Sequence, residues 1–439
     1  MERASESDRL PLLAAIVLVG LNLRPFITGI GPLASDIGAQ TGLGMQGIAL
    51  LTLVPMLLMG VLAFAGPSLQ FRVGARRSII TALAILALAS LLRLFVSAGW
   101  QMVATAALLG LAAAVVQAML PGVIKQYFPR HVGVVMGLYS AMLMGGGAIG
   151  AQLAPLVATA AGDWHGGLAW MALPTVLALW LVARNLPRDT QRKAGMNKAA
   201  SILTRPRTWL LMACFGLVNG GYSTIVAWLA PFYQGLGWTA AASGSLLAVM
   251  AVCQAVAALV LPVLADSWED RRPWLWLTLA MQASGFTALG VMPEAAPLLW
   301  AAVLGVGLGG CFALSMIVAL DHLPDPAEAG ALSALMQGGG FLIAALPPWV
   351  IAILHDLTGS FTAGWMLHLG CVAVVTILYW RISPASYARA FRLTAPKSRP
   401  EAACAAVAPA TPYECEVAIS RPIPRILLPG NRANCGRGQ

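Results

Sequence analysis

The chain has 439 residues, of which 59% are hydrophobic and only 10% charged, and its mean hydropathy is +0.78. Soluble domains carry roughly 25% charged residues, so the composition excludes a water-soluble fold and favours lipid as the solvent of the outer surface. The net charge of +10 could suggest a nucleic-acid partner, but the positions of the cations argue against one.

Twelve apolar stretches are long enough to cross a membrane, since a span needs about 20 apolar residues. Their predicted bounds are 10–33, 46–66, 78–97, 101–123, 132–158, 166–186, 208–233, 240–264, 273–292, 298–320, 331–355 and 363–381. The first stretch is interpreted as a membrane helix, because its flank has mixed charge and the apolar run shows no convincing cleavage site. The tail, 382–439, is rich in Ala, Pro and Arg without a helical or strand period, and is expected to be disordered.

The cations are distributed asymmetrically between the two sides of the membrane. Placing the N-terminus in the cytoplasm puts 25 of the 27 Lys and Arg residues on that side, and the outer loops hold none. The other two, Arg24 and Arg93, fall inside predicted helices. The positive-inside rule therefore predicts that both termini are cytoplasmic. Contact with anionic lipid explains the net charge, so no nucleic-acid partner is expected.

The two halves of the chain repeat each other. At an offset of 193, Gly137, Ser140, Gly145-Gly146-Gly147 and Pro155 fall on Gly330, Ser333, Gly338-Gly339-Gly340 and Pro348. At an offset of 195, Pro67, Arg76-Arg77, Gly110 and Pro129 fall on Pro262, Arg271-Arg272, Gly305 and Pro324. Because six is an even number, both copies enter the membrane in the same direction. The repeat predicts an all-α fold of two parallel six-helix bundles, 1–186 and 208–381, joined by a cytoplasmic linker, 187–207.

Arg24 is the most informative polar residue of the predicted spans. It lies about 14 residues into helix 1, so roughly 21 Å deep at 1.5 Å per residue, and it should face the bundle interior or water. Pro25 removes the N–H that would pair with the Leu21 carbonyl and opens the helix there. Broken helices at mid-depth are typical of transporter binding sites. The alternatives are that Arg24 snorkels outward or braces the freed carbonyls.

Other polar residues are placed by the repeat around the same cavity. Helix 7 is the counterpart of helix 1. It carries Asn219 and Tyr222, which are three residues apart and hence lie on one face. The predicted substrate-binding residues are Arg24, Asn22, Thr28, Asn219, Tyr222, Gln117, Tyr139 and Gln337. For a single Gln the alternative is an interhelical hydrogen bond, and for the triple glycines close helix packing is preferred. Arg93, near the outer end of helix 3, is assigned to an anion-attracting vestibule or else snorkels to the interface.

The acidic residues are informative by their positions. All 17 Asp and Glu fall in loops, in the termini or at helix ends, so no midplane carboxylate is predicted to neutralise Arg24. A permanent cation without a partner favours an anionic substrate. No zinc motif, nucleophile elbow or phosphate-cradling loop is present, so we expect neither an enzyme nor a bound metal or cofactor.

The loop between predicted helices 2 and 3, Gly66–Arg77, resembles the loop motif of the major facilitator superfamily, with Gln70 near the place of the usual Asp. The copy of this motif between predicted helices 8 and 9 keeps that aspartate, as Asp266. The conformational role that this resemblance implies falls on Arg76, Arg77, Asp266, Arg271 and Arg272.

Longer motifs are similar to one branch of that superfamily. They include Gly20-Leu-Asn-Leu-Arg-Pro-Phe-Ile-Thr28, Pro121-Gly-Val-Ile-Lys125, Val135-Met-Gly-Leu-Tyr-Ser140, Gly216-Leu-Val-Asn-Gly-Gly-Tyr222, Ala319-Leu-Asp-His322 and Met336-Gln-Gly338. Over about 10–381 the chain resembles the cyanate/2-nitroimidazole transporter family, on the cyanate side of that family. The resemblance implies a small linear anion as cargo, and the long tail departs from it.

Three functions are compatible with these features. The first is a secondary transporter of a small anion, cyanate or a similar one, that works by alternating access in the inner membrane as a monomer. The second is an exporter of neutral heteroaromatic compounds that uses Trp228, Tyr139 and Tyr222. The third is a membrane sensor with the tail as its output segment. The direction of transport and the coupling ion are not predicted.

Overall fold

The computed structural model describes residues 6–129, 131–187 and 201–391. We number the long membrane segments α1 to α12. They are α1 (Glu6–Asn22, continued by Pro25–Thr28, a 3₁₀ turn at Gly31–Leu33 and Ala34–Thr41), α2 (Met45–Val73), α3 (Ala75–Leu92), α4 (Gly99–Tyr127), α5 (Val132–Ala161), α6 (Trp164–Ala169 and Ala172–Asn185), α7 (Pro206–Gly235), α8 (Ala240–Ala265), α9 (Arg272–Val291), α10 (Pro297–Asp321), α11 (Pro326–Thr358) and α12 (Thr362–Trp380).

Eleven of the described segments are long and apolar enough to cross a membrane. The remaining one, α9, has the length of a span but is less apolar, since it contains two tryptophans and Gln282. Large apolar side chains such as Phe95, Leu173 and Ile377 stay exposed on the outside, as lipid contact requires. The predicted all-helical membrane fold is confirmed, whereas the cytoplasmic location of both termini stays a prediction.

Helix contacts follow the internal repeat. Within the two halves, α1 packs on α5 and α2 on α4, just as α7 packs on α11 and α8 on α10. Between the halves, α2 packs on α11 and α5 packs on α8. These two contacts are equivalent, because α8 is the repeat counterpart of α2 and α11 is the counterpart of α5. Both halves form one compact unit, so their division into separate bundles stays a prediction. Residues 188–200 of the predicted linker lie outside the described residues.

The predicted loop between helices 2 and 3 is largely helical. Helix α2 continues to Val73, seven residues beyond its predicted end, and α3 begins at Ala75. The turn between them is made by Gly74 alone, with φ at +88°, a conformation that costs glycine little because it has no Cβ.

The chain after α12 folds further than predicted. A 3₁₀ turn, Pro384–Ser386, and a short helix, Tyr387–Phe391, follow α12 where disorder was expected from 382. The Tyr387 ring stacks on His322 with 3.8 Å between centroids, and Arg207 donates a 2.7 Å hydrogen bond to Ser386 Oγ. The ring stack and the hydrogen bond attach this segment to the helices, although its sequence has little helical periodicity. The rest of the predicted tail, 392–439, lies outside the described residues.

Acid should destabilise the contact between His322 and the segment after α12. His322 Nδ1 lies 2.6 Å from the Val318 carbonyl, and burial lowers the pKa of His322 from 6.5 to about 4. The folded protein therefore takes up this proton only near pH 4, whereas the unfolded chain takes it up near pH 6.5. The stability contributed by neutral His322 is present at pH 7 and is lost as the pH falls from 6.5 towards 4.

We expect the purified protein to lose about 2 kcal/mol of stability through this residue at pH 5 relative to pH 7.5. Thermal unfolding in detergent measures the loss, and His322→Gln should show a clearly smaller drop between the two pH values. An equal drop in both proteins would contradict the assignment.

Candidate functional site

Helix α1 is broken beside Arg24. Helical bonding ends at Asn22, and Leu23 N–H bonds the Gly20 carbonyl three residues back, in a tightened turn. A new helical turn, Pro25–Thr28, begins with Pro25 at its first position and Arg24 at its N-cap, where proline is favoured because it has no N–H to satisfy. The predicted break therefore lies at the predicted residue, and α7, the repeat counterpart, is continuous over Pro206–Gly235.

The triple glycine of α5 accommodates this break. A Cβ on Gly146 would collide with the Leu21 carbonyl, the group that Pro25 leaves without its helical donor. At Gly150 a Cβ would lie 2.6 Å from Pro25 Cβ. Thr28 Oγ1 donates a 2.8 Å hydrogen bond to the Gly147 carbonyl. Backbone-to-backbone contact between α1 and α5 thus depends on the absence of side chains on α5.

Arg24 lies at the contact between the two halves. Its side chain is 6% exposed, and its guanidinium carbon lies 5.0 Å from the ring centroid of Tyr222 on α7, a cation–π contact. Within the described residues Arg24 has no ion pair, and its Nε is buried without a hydrogen-bond partner. The site therefore contains one cation from the first half, whose charge no acidic side chain of the described residues neutralises, and one aromatic ring from the second.

Tyr139 and Asn219 extend this face. The Tyr139 ring packs on α1, with Cδ2 placed 3.3 Å from where a Cβ on Gly20 would be, and Tyr139 is within electrostatic range of Arg24. Asn219 precedes Tyr222 by three residues on α7, and its Nδ2 donates to the Phe215 carbonyl at 2.8 Å. The structure thus brings Arg24, Tyr139 and Tyr222 together, with Asn219 one turn from Tyr222.

Two predicted site residues bond to neighbouring helices instead. Asn22 Nδ2 donates to the Leu18 carbonyl at 2.7 Å, and its Oδ1 accepts a 2.9 Å bond from Thr175 on α6. The hydroxyl of Thr28 is already donated to α5, as described above. The polar groups of Asn22 and Thr28 therefore join α1 to α6 and α5, and their substrate-binding role stays a prediction.

Neither of the two predicted glutamines forms a hydrogen bond with Arg24. Gln117 on α4 has a buried Nε2 without a partner, and Gln337 on α11 is half-buried. Neither amide forms a hydrogen bond with another described residue. Their substrate-binding role stays a prediction.

Arg93 is turned inward. It lies in a 3₁₀ turn at the end of α3 and is 0% exposed, rather than reaching the interface as snorkelling would require. Its Nη1 lies 3.3 Å from the Phe26 carbonyl in the broken turn of α1. The predicted vestibule role stays a prediction.

One arginine of the loop motif, Arg76, caps the end of a helix. Arg76 donates to the Leu186 and Ala183 carbonyls at the end of α6, at 2.7 and 2.6 Å. Cations at a helix C-terminus satisfy free carbonyls and the helix dipole.

The copy of this motif in the second half pairs with acidic residues. Arg271 pairs with Asp321 at the end of α10 at 2.9 Å and also donates to the Ala265 carbonyl at 2.7 Å. Arg272 pairs with Asp270 at 2.6 Å. Asp266 and Arg77 are exposed, and the conformational role of all five motif residues stays a prediction.

A polar contact between the halves was not predicted from the sequence. Gln234 at the end of α7 donates to the Pro32 carbonyl at 2.8 Å and to Ser243 at 3.0 Å, and it accepts from Ser35 at 3.1 Å. We call Pro32, Ser35, Gln234 and Ser243 the outer seal. Polar residues at helix ends resemble ordinary interfacial residues in a sequence, so only their packing identifies the seal.

A second contact lies near the same ends of the helices. Gln46, at the start of α2, donates to Asp356, near the end of α11, at 3.1 Å. Both contacts join the ends that the positive-inside rule places outside, so the structure has the halves closed at that end.

Comparison with known proteins assigns the family. The sequence profile of the Major Facilitator Superfamily matches residues 12–289. The chain belongs to the Major Facilitator Superfamily. It is 40% identical over 378 residues to the cyanate transport protein CynX of Escherichia coli, covering 86% of this chain and 98% of that protein. It is 28% identical to the 2-nitroimidazole transporter of Escherichia coli, with 85% and 94% covered.

Solved structures of other transporters share the fold. A nucleoside transporter superposes with a TM-score of 0.69 at 10% identity, covering 85% of this chain and 99% of that one. A D-xylose–proton symporter superposes with a TM-score of 0.68 at 15% identity, with 86% and 98% covered. This major facilitator is therefore a multi-pass inner-membrane transporter, as the apolar helices and the repeat predicted.

Proposed function

We propose that this major facilitator carries a small monovalent anion, with cyanate as the first candidate, by alternating access. The observation that carries the proposal is Arg24, a permanent cation that the helix break presents to the other half without a neutralising carboxylate among the described residues. A guanidinium carries a fixed positive charge and offers several hydrogen-bond donors to an anion. The 40% identity to a cyanate transport protein supports the same cargo.

The anion would join the two halves. Arg24 belongs to the first half, and Tyr222 and Asn219 belong to the second, so an anion bound at Arg24 contacts groups that move apart or together during the cycle. Binding energy from such a site can favour rocking between the two open states. Both faces come from one chain, so we expect a monomer to suffice, and the cycle needs no covalent step.

The runner-up cargo is a neutral heteroaromatic compound, which a relative with 28% identity supports. One of the three aromatic residues predicted to bind such a cargo, Trp228, is not accessible to it. Trp228 is fully buried and donates its indole N–H to the Pro348 carbonyl. The ring of Tyr222 is already occupied by Arg24. The anion is therefore the better-supported cargo.

Proteoliposome uptake tests the proposal. We expect saturable uptake of labelled cyanate that excess unlabelled cyanate inhibits and that a neutral nitroimidazole does not. Uptake of the nitroimidazole with no cyanate flux would favour the runner-up, and absence of both fluxes in a correctly folded sample would contradict both.

Locking the outer seal should stop transport. In the double variant Ser35→Cys with Gln234→Cys, we expect oxidation to link α1 to α7 and to abolish uptake, because the outer end can no longer open. A reductant should restore uptake, and each single variant serves as the control. Full uptake by a quantitatively cross-linked sample would contradict alternating access at this seal.

A further inference from the structure

Arg93 is buried at a position from which it could reach the membrane surface. It lies in the turn Arg93–Phe95 at the end of α3, where Leu94 and Phe95 are 44% and 78% exposed. The Arg93 side chain is nevertheless 0% exposed. Burial of an arginine is unfavourable unless it gains specific contacts, so the inward orientation calls for a reason.

The contact that Arg93 makes is with the broken turn of α1. Downstream of the break the Ile30 N–H bonds the Ile27 carbonyl at 3.2 Å, three residues back. In a regular helix that N–H would bond Phe26, so the tightened turn leaves the Phe26 carbonyl without its helical donor. Arg93 Nη1 supplies the missing donor at 3.3 Å.

The charge of Arg93 is not neutralised by the described residues. Its Nε and Nη2 are buried without hydrogen-bond partners, and no acidic side chain among them pairs with it. Phe26 follows Arg24 by two residues, so one short turn connects two buried cations. Two like charges in a medium of low dielectric repel each other, and a monovalent anion relieves that repulsion.

The internal repeat provides a comparison within the same chain. Adding 195, the offset of this part of the repeat, to 93 gives Ala288, which has no charge to contribute. In that half α7 is continuous and has no broken turn to hold. The broken helix and the buried arginine thus occur together in one half and are both missing from the other.

Resting on the proposed function, we propose that Arg93 is a positioning residue of the anion site. It holds the Pro25–Thr28 turn through the Phe26 carbonyl, so that Arg24 is fixed at the N-terminus of that turn. Its unneutralised charge also raises the attraction of this region for an anion.

The test compares Arg93→Gln and Arg93→Lys with Arg184→Gln, which removes an exposed arginine at the end of α6. Initial rates of cyanate uptake give KM and kcat, and hydrogen–deuterium exchange reports the amides of 24–30. We expect Arg93→Gln to raise KM about tenfold with kcat changed less, and to speed exchange in the turn. Arg93→Lys, which keeps the charge, should recover part of KM, and Arg184→Gln should match the unmodified protein.

A KM within twofold of the unmodified value in Arg93→Gln, or unchanged exchange of the turn, would overturn the inference. The exchange measurement needs no substrate. If the unmodified protein carries no cyanate, the proposed function fails, while exchange still decides whether Arg93 holds the turn.

Discussion

Replacing Arg24 with alanine is expected to lower kcat/KM for cyanate uptake by at least about 30-fold, because truncating a desolvated charged group at a binding site costs about 2–5 kcal/mol. Arg24→Lys should fall between the two, since lysine keeps the charge but loses the planar donors and the stacking on Tyr222. Initial rates in proteoliposomes over a range of cyanate concentrations measure the effect.

Arg184→Ala is the matched control, because it removes an exposed arginine that lies over the Trp180 ring. We expect it to transport like the unmodified protein. Uptake by Arg24→Ala at the unmodified rate, with the same KM, would contradict a role for Arg24 in anion binding.

Gly146→Ala is expected to disrupt the protein, whereas Gly145→Ala should be tolerated. A Cβ on Gly146 meets the carbonyl and Cα of Leu21, so α1 must move away from α5. Overpacking of this kind costs about 1–3 kcal/mol or more. At Gly145 the nearest heavy atom, Leu21 Cδ2, lies 4.0 Å away, which is ordinary contact.

Folded yield by size-exclusion chromatography and uptake by the surviving protein measure this difference. The two variants change adjacent glycines of one helix by the same methyl group, so helix propensity cannot explain a difference between them. Equal behaviour of both would show that α1 and α5 are not in the close contact described.

The long apolar runs predicted the helices well because each crosses a membrane and few other structures can use such runs. Pro25 located the break in α1, since a proline in a helix interior has a local effect. The end of α2 was predicted seven residues short, because Gly74 supplies a turn within a single residue and polar residues before it stay helical.

Polar partners were less predictable than helices. Asn22, Thr28 and Arg24 occur within seven residues, yet Asn22 bonds to α6, Thr28 bonds to α5 and Arg24 lies against α7. The direction of each side chain depends on neighbours more than 100 residues away in sequence. Arg93 shows the same limitation, because a position near a helix end favours snorkelling until the vacant Phe26 carbonyl is seen.

The repeat predicted the pairing of helices but not the difference between the halves. Both copies keep a triple glycine and a later proline, yet the two glycine runs face different surroundings. Gly146 meets the backbone of α1, whereas Gly339 meets the Met212 side chain and Gly340 meets the Phe215 ring. Because α1 is broken and its repeat counterpart α7 is continuous, the contact between them places a cation of the first half against an aromatic ring of the second.

The most direct measurement is the infrared antisymmetric stretch of cyanate added to the purified protein. We predict a bound band, shifted from that of free cyanate and saturable, in the unmodified protein and in Arg184→Gln, and we predict that Arg24→Gln lacks it. The same bound band in Arg24→Gln would contradict the account, because the anion would then be held without the one guanidinium proposed to bind it.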